Sequence, residues 1–376
     1  MARGSSEKDD GPARLDAVAR WRSLLGPSTL SHLAFKEKLR AHYVETYRDE
    51  LLRNEMEMII ENTVLKRQLD RPAGADNRGE GTAIAIVAES GAGKSRAMLH
   101  YLDGNEFFAE IPGGGRPLIR VAVKAPAILR NLGMATLRAA GYASRIEKLQ
   151  SESWAQVQFL LRDLQTLVVN YEECQRIIQN ANRKDRKLIV ETFAGLLTDL
   201  DWPVSLIFSG LPALESLFQT DFIDLKADPK AAEAHDTLRR RTRFVPFPSI
   251  DLEADRKDLD RGLREYQKIG DVSLALLAHR SETRARLHHA ASRQFGLFWQ
   301  YVVSAIDICV RSERKEVAID DFADGYAAET QQPLELNPFA VDHWETIDTS
   351  VVQHREQEET PEPKKARPER RREHDK

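Results

Sequence analysis

The feature that most constrains this chain is a glycine-rich segment at Ala88–Ser95, which reads Ala-Glu-Ser-Gly-Ala-Gly-Lys-Ser. A continuous apolar run at Thr82–Ala88 leads into it, as expected of a strand buried on both faces, and a helical pattern follows it. Gly91 and Gly93 allow the backbone to curl so that successive N–H groups face one anion, and the positive end of the following helix adds to that attraction. This arrangement predicts a phosphate-binding loop.

The predicted loop assigns a role to its polar groups. Lys94 is expected to reach the β- and γ-phosphates of ATP, and Ser95 to ligate Mg²⁺. Ala88 stands where the pattern has glycine, and its methyl group is compatible with the loop if φ stays negative. The residues expected to bind the nucleotide are those of the loop and the one that follows it: Glu89, Ser90, Gly91, Ala92, Gly93, Lys94, Ser95 and Arg96.

An acidic pair lies just beyond another apolar run, Leu164–Val169, which we predict to be a strand. A nucleotide hydrolase needs one carboxylate that orients Mg²⁺ and a second that polarises the attacking water. We assign the metal role to Glu172 and the water-polarising role to Glu173. The usual pair is Asp-Glu, and Asn170 is an alternative occupant of the metal-side position. The competing interpretation is two solvated glutamates at a helix N-terminus, where negative charge is favoured.

The apolar patterns divide the chain into two kinds of structure. Strand-like runs such as Leu118–Val123 and Val204–Phe208 alternate with helical patterns, which predicts an α/β fold with a parallel sheet in three αβα layers. After Asp251 the patterns are helical, which predicts a separate all-α unit, here called the lid. The predicted regions are a polar start and helices at 1–80, the nucleotide-binding domain at 81–250, the lid at 251–330, and a mostly disordered tail at 331–376.

Further candidate residues follow the fourth predicted strand. Ser209 emerges at the end of that strand, where a polar side chain can sense the nucleotide; a strand-ending turn is the alternative. Leu238–Phe247 carries four arginines. In ring-forming ATPases an arginine completes the neighbouring subunit's site, because its charge is permanent and its fork fits phosphate oxygens. We assign that role first to Arg243 and then to Arg241. The competing interpretation of the segment is a solvated basic edge. Arg293 is a candidate phosphate contact from the lid.

Composition excludes several classes of protein. Only two of the 376 residues are cysteines, too few for a disulfide framework or a cysteine zinc site. The net charge of −4 argues against a protein that coats nucleic acid through bulk charge. No apolar run is long enough to span a membrane, and the N-terminus has no apolar signal core. We therefore expect a cytoplasmic protein without membrane contact.

Taken together, these residues resemble the AAA+ ATPase superfamily, and more closely the transposition ATPases of the TniB/TnsC type. The resemblance covers residues from about Leu30 to Glu329. The similar segments are the phosphate loop at Glu89–Ser95, the second strand with its helix at Val121–Gly141, the acidic Glu172–Gln175, the sensor strand at Phe208–Leu214 and the arginine box at Leu238–Phe247. The loop is specific for nucleotide, whereas the other segments are specific only as an ordered set.

The resemblance implies a function as well as a fold. Such proteins bind ATP at subunit interfaces, assemble as homo-oligomeric rings or filaments around duplex DNA, recruit a target selector and a transposase, and disassemble on hydrolysis. The chain is therefore expected to be an ATP-dependent, DNA-binding regulator of transposition. The alternative is a nucleotide-gated signalling or scaffold ATPase that binds no DNA and hydrolyses ATP poorly. Ala88 and Glu172 depart from the family pattern, which bears on the hydrolysis rate more than on nucleotide binding.

DNA contact in a chain of negative net charge has to come from local patches. Lys124 and Arg130 follow the second predicted strand, where these ATPases place inner loops. Arg183 and Lys184 belong to a second basic cluster, between two predicted helices. Either cluster would contact phosphates, which gives affinity without sequence readout. The competing interpretation for each is a solvated helix edge.

The tail contains one apolar island, Leu334–Trp344, between polar flanks. An island of this kind either docks back on its own domain or binds a partner, and the sequence leaves both alternatives open. The stretch at Glu356–Lys376 is rich in Pro, Glu, Arg and Lys and is predicted to be disordered.

Overall fold

A computed structural model of the protein describes residues 16–65, 67–72, 75–142, 150–219 and 228–350. The predictions for the polar N-terminus and for the charged end of the tail lie outside these residues. Within them, no helix is both long and apolar enough to cross a bilayer.

A parallel sheet of five strands, in the order β2-β3-β4-β1-β5, forms the centre of the first unit. The alternation of strands and helices expected from the sequence is confirmed. Three of the five strands are almost wholly buried, which explains their apolar runs. The second strand lies at an edge of the sheet and alternates buried with exposed residues. The strands are β1 (Ala83–Val87), β2 (Leu118–Ala122), β3 (Val168–Glu172), β4 (Ser205–Gly210) and β5 (Thr242–Pro246).

Two strands differ from the sequence prediction. β3 begins at Val168, not at Leu164, because Leu164 still hydrogen-bonds back to the preceding helix and Gln165 adopts a left-handed turn with φ 53°. A short apolar run does not by itself separate a helix end from a strand start. β5 was not predicted, since buried and exposed residues mix along it at the edge of the sheet. The arginine-rich segment therefore contributes a strand beside β1.

Helices cover both faces of the sheet. The N-terminal helices are α1 (Ala17–Ser23), α2 (Pro27–Ala41) and α3 (Tyr47–Val64). The helices of the sheet unit are α4 (Lys94–Leu102), α5 (Leu129–Ala139), α6 (Gln150–Asp163), α7 (Gln175–Asn180), α8 (Arg183–Leu197) and α9 (Pro229–Arg241). α3 and α4 share a core with one face of the sheet, and α5 to α9 share a core with the other. This gives three αβα layers.

The lid follows the sheet unit and is built around one long apolar helix, α13. Its helices are α10 (Arg256–Gly270), α11 (Ala275–His279), α12 (Ser281–Ala290), α13 (Phe295–Arg311) and α14 (Ile319–Thr330). Eleven residues of α13 are buried, which places it at the centre of the lid core.

The N-terminal helices divide between the two units. Leu39 of α2 lies in the lid core, whereas Leu52 and Met56 of α3 lie in the core beneath the sheet. The chain passes between the units in the extended link at residues 42–46, and α3 begins there because Thr46 and Asp49 form a capping box. The N-terminal region therefore holds the lid and the sheet unit together.

The apolar island of the tail packs on the lid. Phe339 is buried and its ring stacks on Phe322 at a centroid distance of 5.4 Å. The Asn337 side-chain amide donates to the Ala323 carbonyl at 2.8 Å, and Arg286 donates to two carbonyls of the same tail segment. Of the two alternatives left open by the sequence, the structure shows the docked one.

Candidate functional site

One cavity of about 570 Å³ lies where the two units and the N-terminal link meet. The predicted loop forms its floor from Ser90 to Arg96, and Glu173 and Gly210 line the adjacent sheet edge. α2 and the link at residues 42–46 form a second wall, and α10, α13 and α14 form the third. The carboxyl ends of parallel strands are where ligands bind in open α/β sheets, so the position agrees with a nucleotide site.

The loop has the backbone geometry that its sequence predicted. Gly91 and Gly93 have φ 77° and 96°, values that favour glycine. α4 begins at Lys94, and the Lys94 ammonium donates to the Ala88 and Glu89 carbonyls at 2.7 and 2.8 Å. Of the predicted nucleotide residues, Ser90 to Arg96 line the cavity. Glu89 does not line it, and its backbone carbonyl accepts the hydrogen bond from Lys94.

The first turn of α13 sits directly on the loop. The Leu297 N–H donates to the Gly91 carbonyl at 3.1 Å. A Cβ atom added at Gly296 would lie 2.6 Å from the same carbonyl oxygen, and one added at Gly91 would lie 2.4 Å from the Leu297 Cγ. The lid and the loop therefore meet at two glycines that have no room for a side chain.

Glu173 faces the cavity because of an unusual backbone turn. Its φ of 62° lies in the left-handed region, which is uncommon for residues other than glycine. Such a conformation costs free energy, and residues that adopt it cluster at functional sites. The Gln175 side chain donates to the Glu173 carboxylate at 2.8 Å, and Arg176 lies 3.8 Å from it. The structure thus brings Glu173 together with Lys94 and Ser95 around one space.

Glu172 has a different environment from its neighbour. Arg120 on β2 forms an ion pair with its carboxylate at 2.7 Å, and the Asn170 amide donates to the same oxygen at 3.1 Å. Glu172 does not line the cavity, and Asn170 is fully buried within β3. The metal role of Glu172 therefore stays a prediction, with its carboxylate already held by Arg120.

The cavity offers oxygen ligands from two residues at the position expected for Mg²⁺. Mg²⁺ takes one or two protein oxygens and completes its shell with phosphate and water, and Ser95 and Glu173 both line the cavity. Within the ranges that the structure describes, no group of three or more His, Cys, Asp or Glu side chains converges as a metal site. A metal here would therefore depend on the phosphates as ligands.

An aromatic end of the cavity was not found from the sequence. Tyr43, Tyr266 and Trp299 line it, and the last two rings stack with centroids 5.1 Å apart. Burial, and then the Asp49 carboxylate that accepts its hydroxyl, raises the pKa of Tyr43 well above its ordinary value. The capping pair Thr46 and Asp49 marks a helix start and therefore a break in the helical pattern just before it. This break was the one sequence signal for the aromatic end of the cavity.

Ser209 lies inside the sheet and does not line the cavity. It pairs with Ile86 of β1 and is buried, and its carbonyl accepts the Cys174 N–H at 2.9 Å. Gly210, one residue later, reaches the cavity instead. A sensing role for Ser209 therefore stays a prediction.

The two candidate finger arginines lie away from their own loop. Arg243 pairs in register with Ile84, near the start of β1, whereas the loop follows the end of that strand. Its Nε lies 2.7 Å from the Glu55 carboxylate, and Arg241 forms an ion pair with Glu80. Because the strands are parallel, both arginines lie toward the opposite end of the sheet from the loop, and their role as a finger stays a prediction.

The other predicted cations are also located. Lys124 is exposed just after β2, an edge strand, and Arg130 lies in the first turn of α5. Arg183 and Lys184 were expected between two helices but form the first turn of α8, which begins earlier because Asn182 caps it. Arg293 does not line the cavity; its carbonyl accepts the Ile250 N–H at 2.7 Å.

Comparison with known proteins identifies the fold. No family model matches the sequence, and no curated protein matches it significantly. The ORC1 protein of Aeropyrum pernix, solved in complex with DNA, matches with a TM-score of 0.51 and 13% identity over 80% of this chain and 74% of that one. Cdc6p from Pyrobaculum aerophilum matches with a TM-score of 0.53 and 10% identity over 80% and 75%. This chain has the AAA+ fold. Its AAA+ neighbours are of the Orc1/Cdc6 type, and the narrower TniB/TnsC resemblance is not confirmed.

Proposed function

We propose that the protein is an AAA+ ATPase that binds duplex DNA in its ATP state, assembles into a homo-oligomer and regulates transposition. The observation that carries the proposal is the single cavity shared by the phosphate loop, Glu173 and the lid. A loop alone binds phosphate, but a carboxylate just after β3, two strands away from β1 in the same sheet, adds the group that hydrolysis requires.

The phosphate end of the cavity supplies the chemistry. Lys94 holds the β- and γ-phosphates, and the N–H groups of the loop bind their oxygens. Ser95 would hold Mg²⁺, which would neutralise charge on the phosphates when bound. Glu173 orients the attacking water, and its hydrogen bond from Gln175 fixes the carboxylate that does so.

The aromatic end of the cavity suits a purine base. Tyr43, Tyr266 and Trp299 provide apolar surface beside the link. Val44 of that link is buried, and within the described residues its backbone N–H and C=O make no hydrogen bond. Buried backbone groups are nearly always paired, so a base edge with one donor and one acceptor would satisfy both.

DNA binding is supported by likeness and by local charge. One of the similar structures reported above, ORC1 of Aeropyrum pernix, is a complex with DNA. The candidate contacts are Lys124 and Arg130, with Arg183 and Lys184 as the second cluster. Contacts of this kind bind phosphates and give affinity without sequence preference.

The role in transposition rests on the ordered set of motifs, from the loop through Glu172–Gln175 to Leu238–Phe247. That set implies recruitment of a transposase and a target selector as partners. A second candidate is a nucleotide-gated scaffold ATPase without DNA. The ion pair between Glu172 and Arg120 favours it, because a carboxylate already held by an arginine is less free to orient a metal.

A DNA-binding assay with and without ATP separates the two candidates. We expect the wild-type chain to bind duplex DNA only with ATP or a slowly hydrolysed analogue. Lys94→Ala should not bind DNA in either condition, because it no longer binds ATP. Replacing Lys124 and Arg130 together with alanine should weaken DNA binding and flatten its salt dependence while ATP binding is kept. ATP binding without DNA binding at low salt would favour the scaffold.

A further inference from the structure

The lysines and arginines that line the cavity do not come from the lid. The lid was expected to supply a phosphate contact, but among the described residues that line the cavity none of its side chains is lysine or arginine. The lid wall consists of aromatic, glycine, aliphatic, amide, hydroxyl and acidic residues. The lysines and arginines of the cavity come instead from the N-terminal helices and the loop helix: Lys36, Arg40, Arg48, Lys94 and Arg96.

Arg40 differs from the other four cations. Those four are held by the chain itself: Lys36 by Asp307, Arg48 by Asp255, Lys94 by two loop carbonyls, and Arg96 by the carbonyls of Arg40 and His42. Arg40 is exposed and is one of the residues that line the cavity, and its guanidinium makes no hydrogen bond or ion pair with any residue that the structure describes. A guanidinium at the wall of a cavity that contains a phosphate loop has a natural partner in an anionic ligand.

The backbone of Arg40 fixes where this side chain starts. Its carbonyl accepts a hydrogen bond from the guanidinium of Arg96, which lies in the first turn of α4. The N-terminus of that helix is the floor that faces the phosphates. The last turn of α2 therefore lies one Arg96 side chain away from the first turn of α4, next to the link at residues 42–46.

The packing of α2 decides which unit carries Arg40. Leu39, the preceding residue, is fully buried in the lid core, and Phe35 packs against the same core. Lys36 adds an ion pair from α2 to Asp307 of α13 at 3.1 Å. Arg40 is thus carried on the lid side of the cavity, although it precedes the sheet unit in sequence.

We propose that Arg40 contacts the phosphate chain of the bound nucleotide, and that the N-terminal helix supplies the lid-side cation that the lid itself lacks. Arginine suits the role because it is permanently charged and its planar fork can bind two phosphate oxygens. The inference rests on the proposed nucleotide binding. It makes affinity for the phosphates depend on α2 staying packed on the lid.

The experiment compares two charge-removing variants of one helix in the full chain. Arg40→Gln removes the proposed contact, and Lys38→Gln removes an equal charge from an exposed residue two positions earlier that does not line the cavity. Isothermal titration with ATP and with adenosine, and a melting curve for each variant, are the measurements. We expect Arg40→Gln to bind ATP about ten-fold more weakly or worse, with adenosine binding unchanged, and Lys38→Gln to match the wild type.

The possible results are separable. Unchanged ATP affinity in Arg40→Gln, or an equal loss for ATP and adenosine, overturns the inference, as does an equal loss in Lys38→Gln. Arg40→Lys should recover part of the ATP affinity, because it restores the charge without the fork. If the wild-type chain itself fails to bind ATP, the proposed function falls and this inference falls with it, whereas a defect confined to Arg40→Gln supports both.

Discussion

Arg48 and Asp255 form a fully buried, two-point ion pair, with N–O distances of 2.7 and 2.9 Å. The same guanidinium donates to the Pro248 and Ser249 carbonyls at 2.8 and 2.9 Å and lies 5.4 Å from the Phe295 ring. One side chain at the start of α3 therefore fixes the connection that leads from the sheet unit into the lid. It also touches the residue where α13 begins, next to the phosphate loop.

Breaking this pair should be costly. Arg48→Met leaves the Asp255 carboxylate buried without a counter-charge, with the Asp251 N–H as its remaining donor, and removal of one member of a buried ion pair destabilises by about 3–5 kcal/mol. A double variant, Arg48→Met with Asp255→Leu, should recover a large part of that loss, because no charge then stays buried. Urea unfolding measures both. A double variant as unstable as the single one would show that the unpaired carboxylate is not the source of the loss.

The contact between the lid and the loop predicts an effect of one methyl group. Gly296→Ala places a Cβ atom 2.6 Å from the Gly91 carbonyl oxygen, and that oxygen cannot move without reshaping the loop. We expect weaker ATP binding in a folded protein. Gly195→Ala on α8 is the control, since a Cβ there meets nothing within 4 Å and should stabilise the helix by up to about 1 kcal/mol. Equal ATP affinity in the two variants would contradict the close contact.

Glu173 gives a prediction that separates binding from hydrolysis. Glu173→Gln keeps the shape and the hydrogen-bonding capacity of the side chain but removes the charge that polarises water. We expect ATP binding to be kept and turnover to fall by about 10²-fold or more, which should trap the ATP-bound assembly. Glu215→Gln, at an exposed glutamate outside the cavity, is the control. Wild-type turnover in Glu173→Gln would refute the assignment.

The sequence predicted the floor of the site better than its walls. The loop at Ala88–Ser95 is a local pattern, and the structure shows the backbone expected of it, with positive φ at Gly91 and Gly93 and a helix from Lys94. The wall formed by Tyr43, Tyr266 and Trp299 depends on packing between segments more than 200 residues apart, which no local pattern encodes. β5 was missed for another reason: an arginine and a proline among its five residues interrupt the apolar pattern of a strand at the sheet edge.

The arginine pair at the far end of the sheet predicts a defect in assembly rather than in folding. Arg241 and Arg243 are held by ion pairs that are partly exposed, and such pairs contribute only about 0–1 kcal/mol. Replacing both with alanine should leave a stable monomer that fails to oligomerise with an ATP analogue. Sedimentation velocity is the measurement, and Arg240→Ala in the same run, paired locally with Asp236, is the control. Unchanged oligomers in the double variant would remove the finger from this segment.

The docked tail predicts that the island stabilises the lid. Phe339 is 4% exposed and packs on Phe322, so Phe339→Ala should cost about 3–5 kcal/mol of unfolding free energy. Leu334→Ala, at a residue 65% exposed in the same island, should change stability by less than about 0.5 kcal/mol. ATP binding should survive in both, because every predicted phosphate ligand lies before the tail.

Loss of binding to a transposase or target selector in Leu334→Ala, with stability unchanged, would indicate that the exposed side of the docked island is also a partner surface. Wild-type stability in Phe339→Ala would contradict the docking itself.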